Sequence, residues 1–281
     1  MKLSIVIPAL NGFELTEACY NTIVDNLSQP EEVEVIILDN GSSVPQHFPT
    51  KWANTKFIRN EKSTGVYPTY KQGMEVTTGD VVAFFHNDMA VWEKNWDLKV
   101  MKRFEVNSKL GLAGFLGSWQ MESHGGRGMG TASNFMGKSL SFIDKSWNGT
   151  AASVHGRKIT EHEKAIQVDG CVMIFRREAY NHIEYKENFP PHHFYDRLLS
   201  AQIGRAGYEI ETIGVECDHF SGQTVNSDRA YLFGIAKDWC MKHLGMPDTM
   251  ENIYEPAIYK ESERQFIKEF RDEKHYMPRN A

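Results

Sequence analysis

Apolar and polar positions along the chain fall into alternating short runs and longer helical periods. Leu3-Ser4-Ile5-Val6-Ile7 reads as a buried strand stopped by Pro8. Phe13, Ala18, Ile23, Val24 and Leu27 recur at helical spacing over 13–27. A second strand over 33–38 ends in the turn Asp39-Asn40-Gly41-Ser42-Ser43. A short strand at 55–59 precedes a helix over 66–77 with Pro68 in its first turn. The pure apolar run 81–85 is a fourth strand, bracketed by Asp80 and by His86-Asn87-Asp88. The pattern continues with a helix over 93–106, strands over 110–116, 168–175 and 208–215, a helix over 195–206, and terminal helices over 228–244 and 259–272.

This alternation predicts an α/β fold with a mostly parallel central sheet and helices on both faces. The polar turns follow strand ends, which is where open α/β sheets bind ligands. The loops at 8–14, 39–43 and 86–88 are therefore the expected site. Residues 119–160 are rich in Gly, Ser and Asn without a clear period. They read as a long loop of the kind that serves as a lid or binding segment.

Composition narrows the picture. Of 281 residues 41% are hydrophobic and 24% charged, as in a globular chain. With 31 Lys and Arg against 37 Asp and Glu, the net charge of −6 argues against broad, nonspecific nucleic-acid binding. Four cysteines without a C-x-x-C pair do not make a disulfide framework, and the expectation is a reduced, cytoplasmic protein. The first apolar stretch is too short for a signal peptide, and no segment is long enough for a stable membrane span.

Three tempting motifs fail. Gly137-Lys138-Ser139 lacks the upstream glycine and strand of a phosphate-binding loop, and the glycines at 125–130 do not form G-x-G-x-x-G. His192-His193 is a poor metal pair, because neighbours on an extended chain face opposite ways. Both read as solvated or partly packed imidazoles.

Four segments fit one pattern: Ser4–Gly12 with its Pro-x-x-Asn turn, Val35–Ser43, Asp80–Asp88, and the stretch from Asp196 through Arg205-Ala206-Gly207-Tyr208 to Asp218-His219-Phe220-Ser221-Gly222. Together they resemble family 2 glycosyltransferases of the GT-A fold, over residues 3 to about 224. The resemblance implies a Rossmann-like donor half at 1–115, an acceptor half at 116–224 and a helical C-terminal extension at 225–281. It implies an inverting, metal-dependent transfer of a sugar from a nucleotide-diphosphate donor, UDP-linked foremost, to an acceptor hydroxyl.

By that resemblance Pro8, Ala9, Asn11, Glu14, Asp39, Asn40, Ser42, Gly65 and Asn87 hold the nucleotide. Asp88 and His219 hold Mn²⁺ or Mg²⁺, and Asp196 is the base. Trp119, Arg127, Asp169 and Gly170 border the acceptor, with His124 beside them. The family's Asp-x-Asp stands here as His86-Asn87-Asp88, which puts the first position in doubt as a ligand. Its Glu-Asp pair stands as Tyr195-Asp196. Asp39 alone would read as a turn cap and Asp196 as a helix N-cap.

A sugar nucleotidyltransferase is the nearest rival, but it expects basic residues directly after the first strand, where Pro8–Phe13 has none. A nucleotide-sugar-binding module without catalysis is the other, motivated by the two altered motifs. A carbohydrate, a lipid-linked sugar, a protein or a modified nucleic-acid base all remain open as acceptor.

Overall fold

The computed structural model describes residues 1–52, 54–121, 131–136, 156–220 and 229–270. Its main sheet grows from the apolar runs. β1 (Leu3–Ala9) lies between β2 (Glu34–Asp39) and β4 (Val81–Phe85), parallel to both, and β3 (Thr55–Arg59) extends β2 in parallel. On the other side of β4 come β12 (Val172–Arg176), β6 (Leu110–Gly114), β13 (Glu209–Ile213) and the edge strand β10 (His162–Ala165). β12 runs antiparallel to both β4 and β6, and β10 antiparallel to β13. The remaining six strands share one direction, as the near-continuous apolar runs require: such strands are buried on both faces.

The period of two divides each strand between two cores. Ile5, Ile7, Val35, Ile37, Ala83 and Phe85 face a core shared with α1 (Phe13–Val24) and α3 (Trp96–Val106). Val6, Ile36, Leu38, Val82 and Phe84 face the opposite core, shared with α2 (Val66–Val76) and α5 (Tyr195–Arg205). The short α4 (Arg177–Tyr180) adds Ala179 and the partly buried Tyr180 to this second core.

Two further sheets sit at the rim. β11 (Gln167–Val168), β7 (Leu116–Ser118), β8 (Thr131–Ser133) and β9 (Arg157–Lys158) form one, and β14 (Cys217–His219) pairs antiparallel with β5 (Met89–Val91) to form the other. Three of the expected elements are corrected here. The strand at 110–116 breaks at Phe115 into β6 and β7, which belong to different sheets. The strand at 168–175 divides around Asp169-Gly170-Cys171. Within the supposed loop 119–160 lie β8 and β9. The break at Phe115 lies inside an apolar run, so hydropathy alone does not mark it, whereas Asp169-Gly170 is a turn pair within an otherwise apolar stretch.

The C-terminal helices are α6 (Arg229–Leu244) and α7 (Tyr254–Phe270), the latter starting five residues earlier than its periodicity suggests. Ala236, Cys240, Tyr254 and Ile258 form a small core between them. Phe266 and Phe270 of α7 reach into the second main core, where Phe266 meets Phe194. Glu269 adds ion pairs to Arg205 and Lys186. All four cysteines are free and buried. Among the described residues no helix is long and apolar enough to cross a membrane.

Candidate active site

The parallel register brings three loops to one edge of the sheet. Ala9, Asp39 and Phe85 end β1, β2 and β4. Because β12 runs the other way, its leading residues Asp169-Gly170-Cys171 arrive at the same edge, and the His86 amide donates to the Cys171 carbonyl at 2.9 Å. β14 is antiparallel to β5, pairing His219 with Met89, and the Phe220 amide donates to the Asp88 carbonyl at 2.9 Å. Residues more than 130 positions apart thus converge at the end of β4.

A cavity of about 310 Å³ opens there. One wall is Pro8, Ala9, Leu10 and Asn40, with Ser63, Gly65, Val66 and Thr69 beside them. The floor carries His86, Asn87, Asp88 and His219, and the remaining wall is His192, His193, Tyr195 and Glu255.

Asp88 is buried, and its Oδ1 lies 3.2 Å from His219 Nε2 and 4.0 Å from His86 Nδ1. The His219 contact is of ion-pair length but lacks hydrogen-bond geometry, so among the described residues Oδ1 has no well-aligned hydrogen-bond donor. Burial pushes this carboxyl up, but the flanking His219 and His86 more than offset it and hold it below the usual carboxylate range. Burial brings the His86 imidazole down to about 4, so it is neutral at physiological pH although Asp88 favours its charged form. Its Nε2 is bound to the Tyr195 hydroxyl at 2.7 Å, which leaves Nδ1 for the Asp88 side.

One ligand atom from each of His86, Asp88 and His219 lies within 4.8 Å of the others. A buried carboxylate oxygen without a well-aligned donor, beside two imidazole nitrogens, fits a divalent cation, and a ring anchored through its second nitrogen is the usual arrangement of a ligating histidine. His86 is the ligand candidate that the sequence reading placed in doubt. The signal was present, since His86 and Asp88 keep the spacing of Asp-x-Asp. Asp169 and Cys171 form a second such group with His219.

The nucleotide-side residues divide. Pro8, Ala9, Asn40, Gly65 and Asn87 line the cavity. Asn11, Asp39 and Ser42 stand behind it and shape the turn. The Ser42 amide donates to Asp39 Oδ1 at 2.8 Å, the Gln46 amide to Oδ2 at 3.0 Å, and Arg59 is ion-paired to Oδ2. Asp39 thus makes the contacts of a turn-capping carboxylate. Burial acts to raise its carboxyl, yet these contacts keep it low. Asn11 clamps the first loop to the second, its amide donating to Ser42 Oγ and its Oδ1 accepting from Ser43. Asn40 Nδ2 donates to the Gly65 carbonyl at 2.9 Å. Glu14 is exposed in the first turn of α1.

Gly65, at φ +86°, lies under Pro191, and a Cβ there would come within 2.2 Å of Pro191 Cβ. The Pro191 carbonyl accepts from the amides of Val66 and Tyr67, so the start of α2 is fastened to the opposite wall. Just beyond, His193 and Phe194 both have positive φ, at 38° and 58°. Two consecutive non-glycine residues in that region cost on the order of 1–3 kcal/mol each, a strain typical of functional sites.

Phe194, not Asp196, is the N-cap of α5. Asp196 sits in the first turn, where its Oδ1 accepts from the Arg197 amide at 2.9 Å. It is close enough that its charge favours the protonated form of His86, but it does not line the cavity. Gly170 packs against the Tyr195 hydroxyl, where a Cβ would approach to 2.0 Å, and its carbonyl accepts from Tyr70. Asp169 Oδ1 accepts from the Cys171 amide. Trp119 is 51% exposed and does not line the cavity. Arg127 and His124 lie outside the described residues. His193, Tyr195 and Glu255 join the site without having been expected there.

The glycosyl transferase family 2 model matches residues 4–183, and the chain belongs to that family. A curated relative, the glycosyltransferase AglE of Haloferax volcanii, is 26% identical over 91 residues, which cover 31% of this chain and 30% of the relative. The fold is GT-A. GalNAc-T7, solved with UDP, GalNAc and Mn²⁺, aligns with 96% of this chain and 56% of its own at 13% identity, with a TM-score of 0.57. A mannosyltransferase of Pyrobaculum calidifontis, solved with GDP-Man and Mn²⁺, aligns over 95% of this chain and 72% of its own, also at 13% identity, with a TM-score of 0.49.

Proposed function

We propose that this chain transfers a sugar from a nucleotide-diphosphate donor to an acceptor hydroxyl, with inversion at the anomeric carbon. The observation that carries the reading is the group His86, Asp88 and His219 on the floor of a cavity at the C-terminal edge of the sheet, in a chain of this family.

His86 Nδ1, Asp88 Oδ1 and His219 Nε2 would hold a divalent cation. Once bound, it supplies Lewis-acid stabilisation of the negative charge that grows on the leaving diphosphate. Two nitrogens and one oxygen suit Mn²⁺ better than Mg²⁺, which prefers an all-oxygen shell. Pro8, Ala9 and Asn40 offer a shaped wall for base and ribose, while Asn11, Asp39 and Ser42 hold that wall in place. Asp196 takes the acceptor proton. The acceptor oxygen bonds to the anomeric carbon as the bond from that carbon to the diphosphate oxygen breaks, and the electron pair leaves with the nucleoside diphosphate. The acceptor is a hydroxyl of a carbohydrate, a lipid-linked sugar, a protein or a modified base. Cytoplasmic residence remains part of this reading.

Donor hydrolysis or transfer with Mn²⁺ is the test, comparing wild type with Asp88→Ala and Asp196→Ala. Activity unchanged in both variants would remove these assignments. Donor binding without turnover on any acceptor would favour the binding module instead.

A further inference from the structure

The glycosyl-transfer reading leaves His192 and Glu255 on one wall of the cavity without a role. His192 is only 8% exposed, lines the cavity, and has a buried Nε2 with no hydrogen-bond partner among the described residues. Glu255, from the first turn of α7, lines the same cavity. Its Oε1 is held by His193 Nε2 at 3.1 Å, while its Oε2 is buried and equally unpartnered. A buried polar atom without a partner is costly, and natural proteins rarely keep one without use. Here two such atoms belong to residues that line one cavity, beside a strained His193-Phe194 turn. Both residues lie beyond the 4–183 family match.

The chemistry of the pair selects its ligand. Burial holds His192 neutral, its proton affinity down to about 4 despite the nearby Glu255. A neutral imidazole and a carboxylate offer mostly acceptors and no positive charge. Phosphate oxygens would be repelled, whereas a hydroxyl can donate to the carboxylate and accept from or donate to the imidazole. We infer that His192 and Glu255 form a subsite for saccharide hydroxyls, so that the C-terminal helix contributes to sugar selection. The inference rests on the proposed glycosyl transfer. The hydroxyls belong either to the sugar of the donor or to the acceptor.

Calorimetry on the full chain with Mn²⁺ separates these cases. UDP, GDP, UDP-glucose, UDP-N-acetylglucosamine and GDP-mannose are titrated into wild type, Glu255→Gln and His192→Gln, with melting curves establishing that each variant is folded. If the donor sugar is held, the nucleotide sugar that binds wild type loses about tenfold in affinity in both variants, the loss of roughly one hydrogen bond to a charged or buried group. The matching nucleoside diphosphate then binds as before. If the acceptor is held, nucleotide-sugar affinity is unchanged, and methyl glycosides titrated into UDP-loaded protein bind about tenfold more weakly. Unchanged affinity in both arms overturns the subsite and leaves the glycosyl-transfer reading standing. A wild-type protein that binds no nucleotide overturns both.

Discussion

The His86 imidazole and the Tyr195 hydroxyl lie 2.7 Å apart, joining the first residue after β4 to the first residue of α5. This contact couples the two halves of the site. In the motif pattern read from the sequence, Tyr195 stands where that pattern has the Glu of Glu-Asp, and His86 where it has the first Asp of Asp-x-Asp. The two departures from the family pattern are thus hydrogen-bonded to each other, and Gly170 leaves the room the tyrosine needs.

Removing that hydroxyl tests the coupling. Tyr195→Phe is expected to weaken Mn²⁺ binding about 10–100-fold, as the loss of a partner that orients a metal-bound histidine does. Stability should fall by only about 1 kcal/mol, the worth of one hydrogen bond. Calorimetric Mn²⁺ titration alongside urea denaturation separates the two effects.

The donor set predicts an order among metals. Wild type should bind Mn²⁺ or Co²⁺ in preference to Mg²⁺. His86→Asp, which replaces a nitrogen by oxygen, should narrow that preference. Competition titrations provide the measurement, and a wild type that prefers Mg²⁺ would contradict the imidazole ligation.

Asp196→Asn is expected to lower turnover about 10²–10⁴-fold, the range of a general base. Donor affinity should change little, because Asp196 does not line the cavity. Single-turnover kinetics and donor titration check the two halves of this expectation.

Acid should destabilise the metal-free protein earlier than carboxylate chemistry alone would. In the unfolded chain His192 takes up a proton as pH falls through about 6.5, but in the fold only near 4. Its contribution is therefore intact above about pH 7 and is lost between those values, by up to roughly 3 kcal/mol. Glu255 and His193 are the charged or titratable groups facing it, and they act in opposite directions. His86 has a similar depression and adds a similar slope. Melting temperatures from pH 7.5 to 5 in chelator should fall steeply in wild type and about half as steeply in His192→Gln.

Gly65→Ala combines a forbidden φ with a clash against Pro191 and should destabilise by more than about 2 kcal/mol. Gly207→Ala, at φ +87° with nothing within 4 Å, carries the backbone cost alone, about 1–2 kcal/mol. Denaturation midpoints of the two distinguish a packed junction from an ordinary turn.

Much of this architecture is legible in local pattern. The runs 3–7, 33–38 and 81–85 are strands because they are short, mostly apolar and bounded by turn residues, the more polar 55–59 pairs as the edge strand β3, and each is found in the main sheet. The periodic segments at 13–27, 66–77 and 195–206 are helices within a few residues of their expected ends. Asp88 and His219 were expected together through family pattern, and the antiparallel pairing of β14 with β5 brings them together. The strand break at Phe115 was not legible, because the chain stays apolar on both sides of it as it leaves one sheet for another, whereas the break at Asp169–Cys171 carries an Asp-Gly turn signal inside a stretch read as one strand.

His192-His193 shows the limit most clearly. From spacing alone the pair reads as packed or solvated, and on an extended segment that is sound. The positive φ values at His193 and Phe194, and the packing of Pro191 on Gly65, turn the segment toward the cavity. Glu255 reaches it because Phe266 and Phe270 dock α7 on the second core.

The sequence by itself determined most of the main-sheet strands and helices, the strand-end loops and the family, because those follow from periodicity, turn residues and motifs read along the chain. The tertiary structure alone decided that His86 joins Asp88 and His219, that Tyr195 anchors it, and that the C-terminal helix supplies a wall of the cavity. These depend on strand direction, on which face each helix packs, and on contacts between residues far apart in the chain, none of which a local pattern encodes.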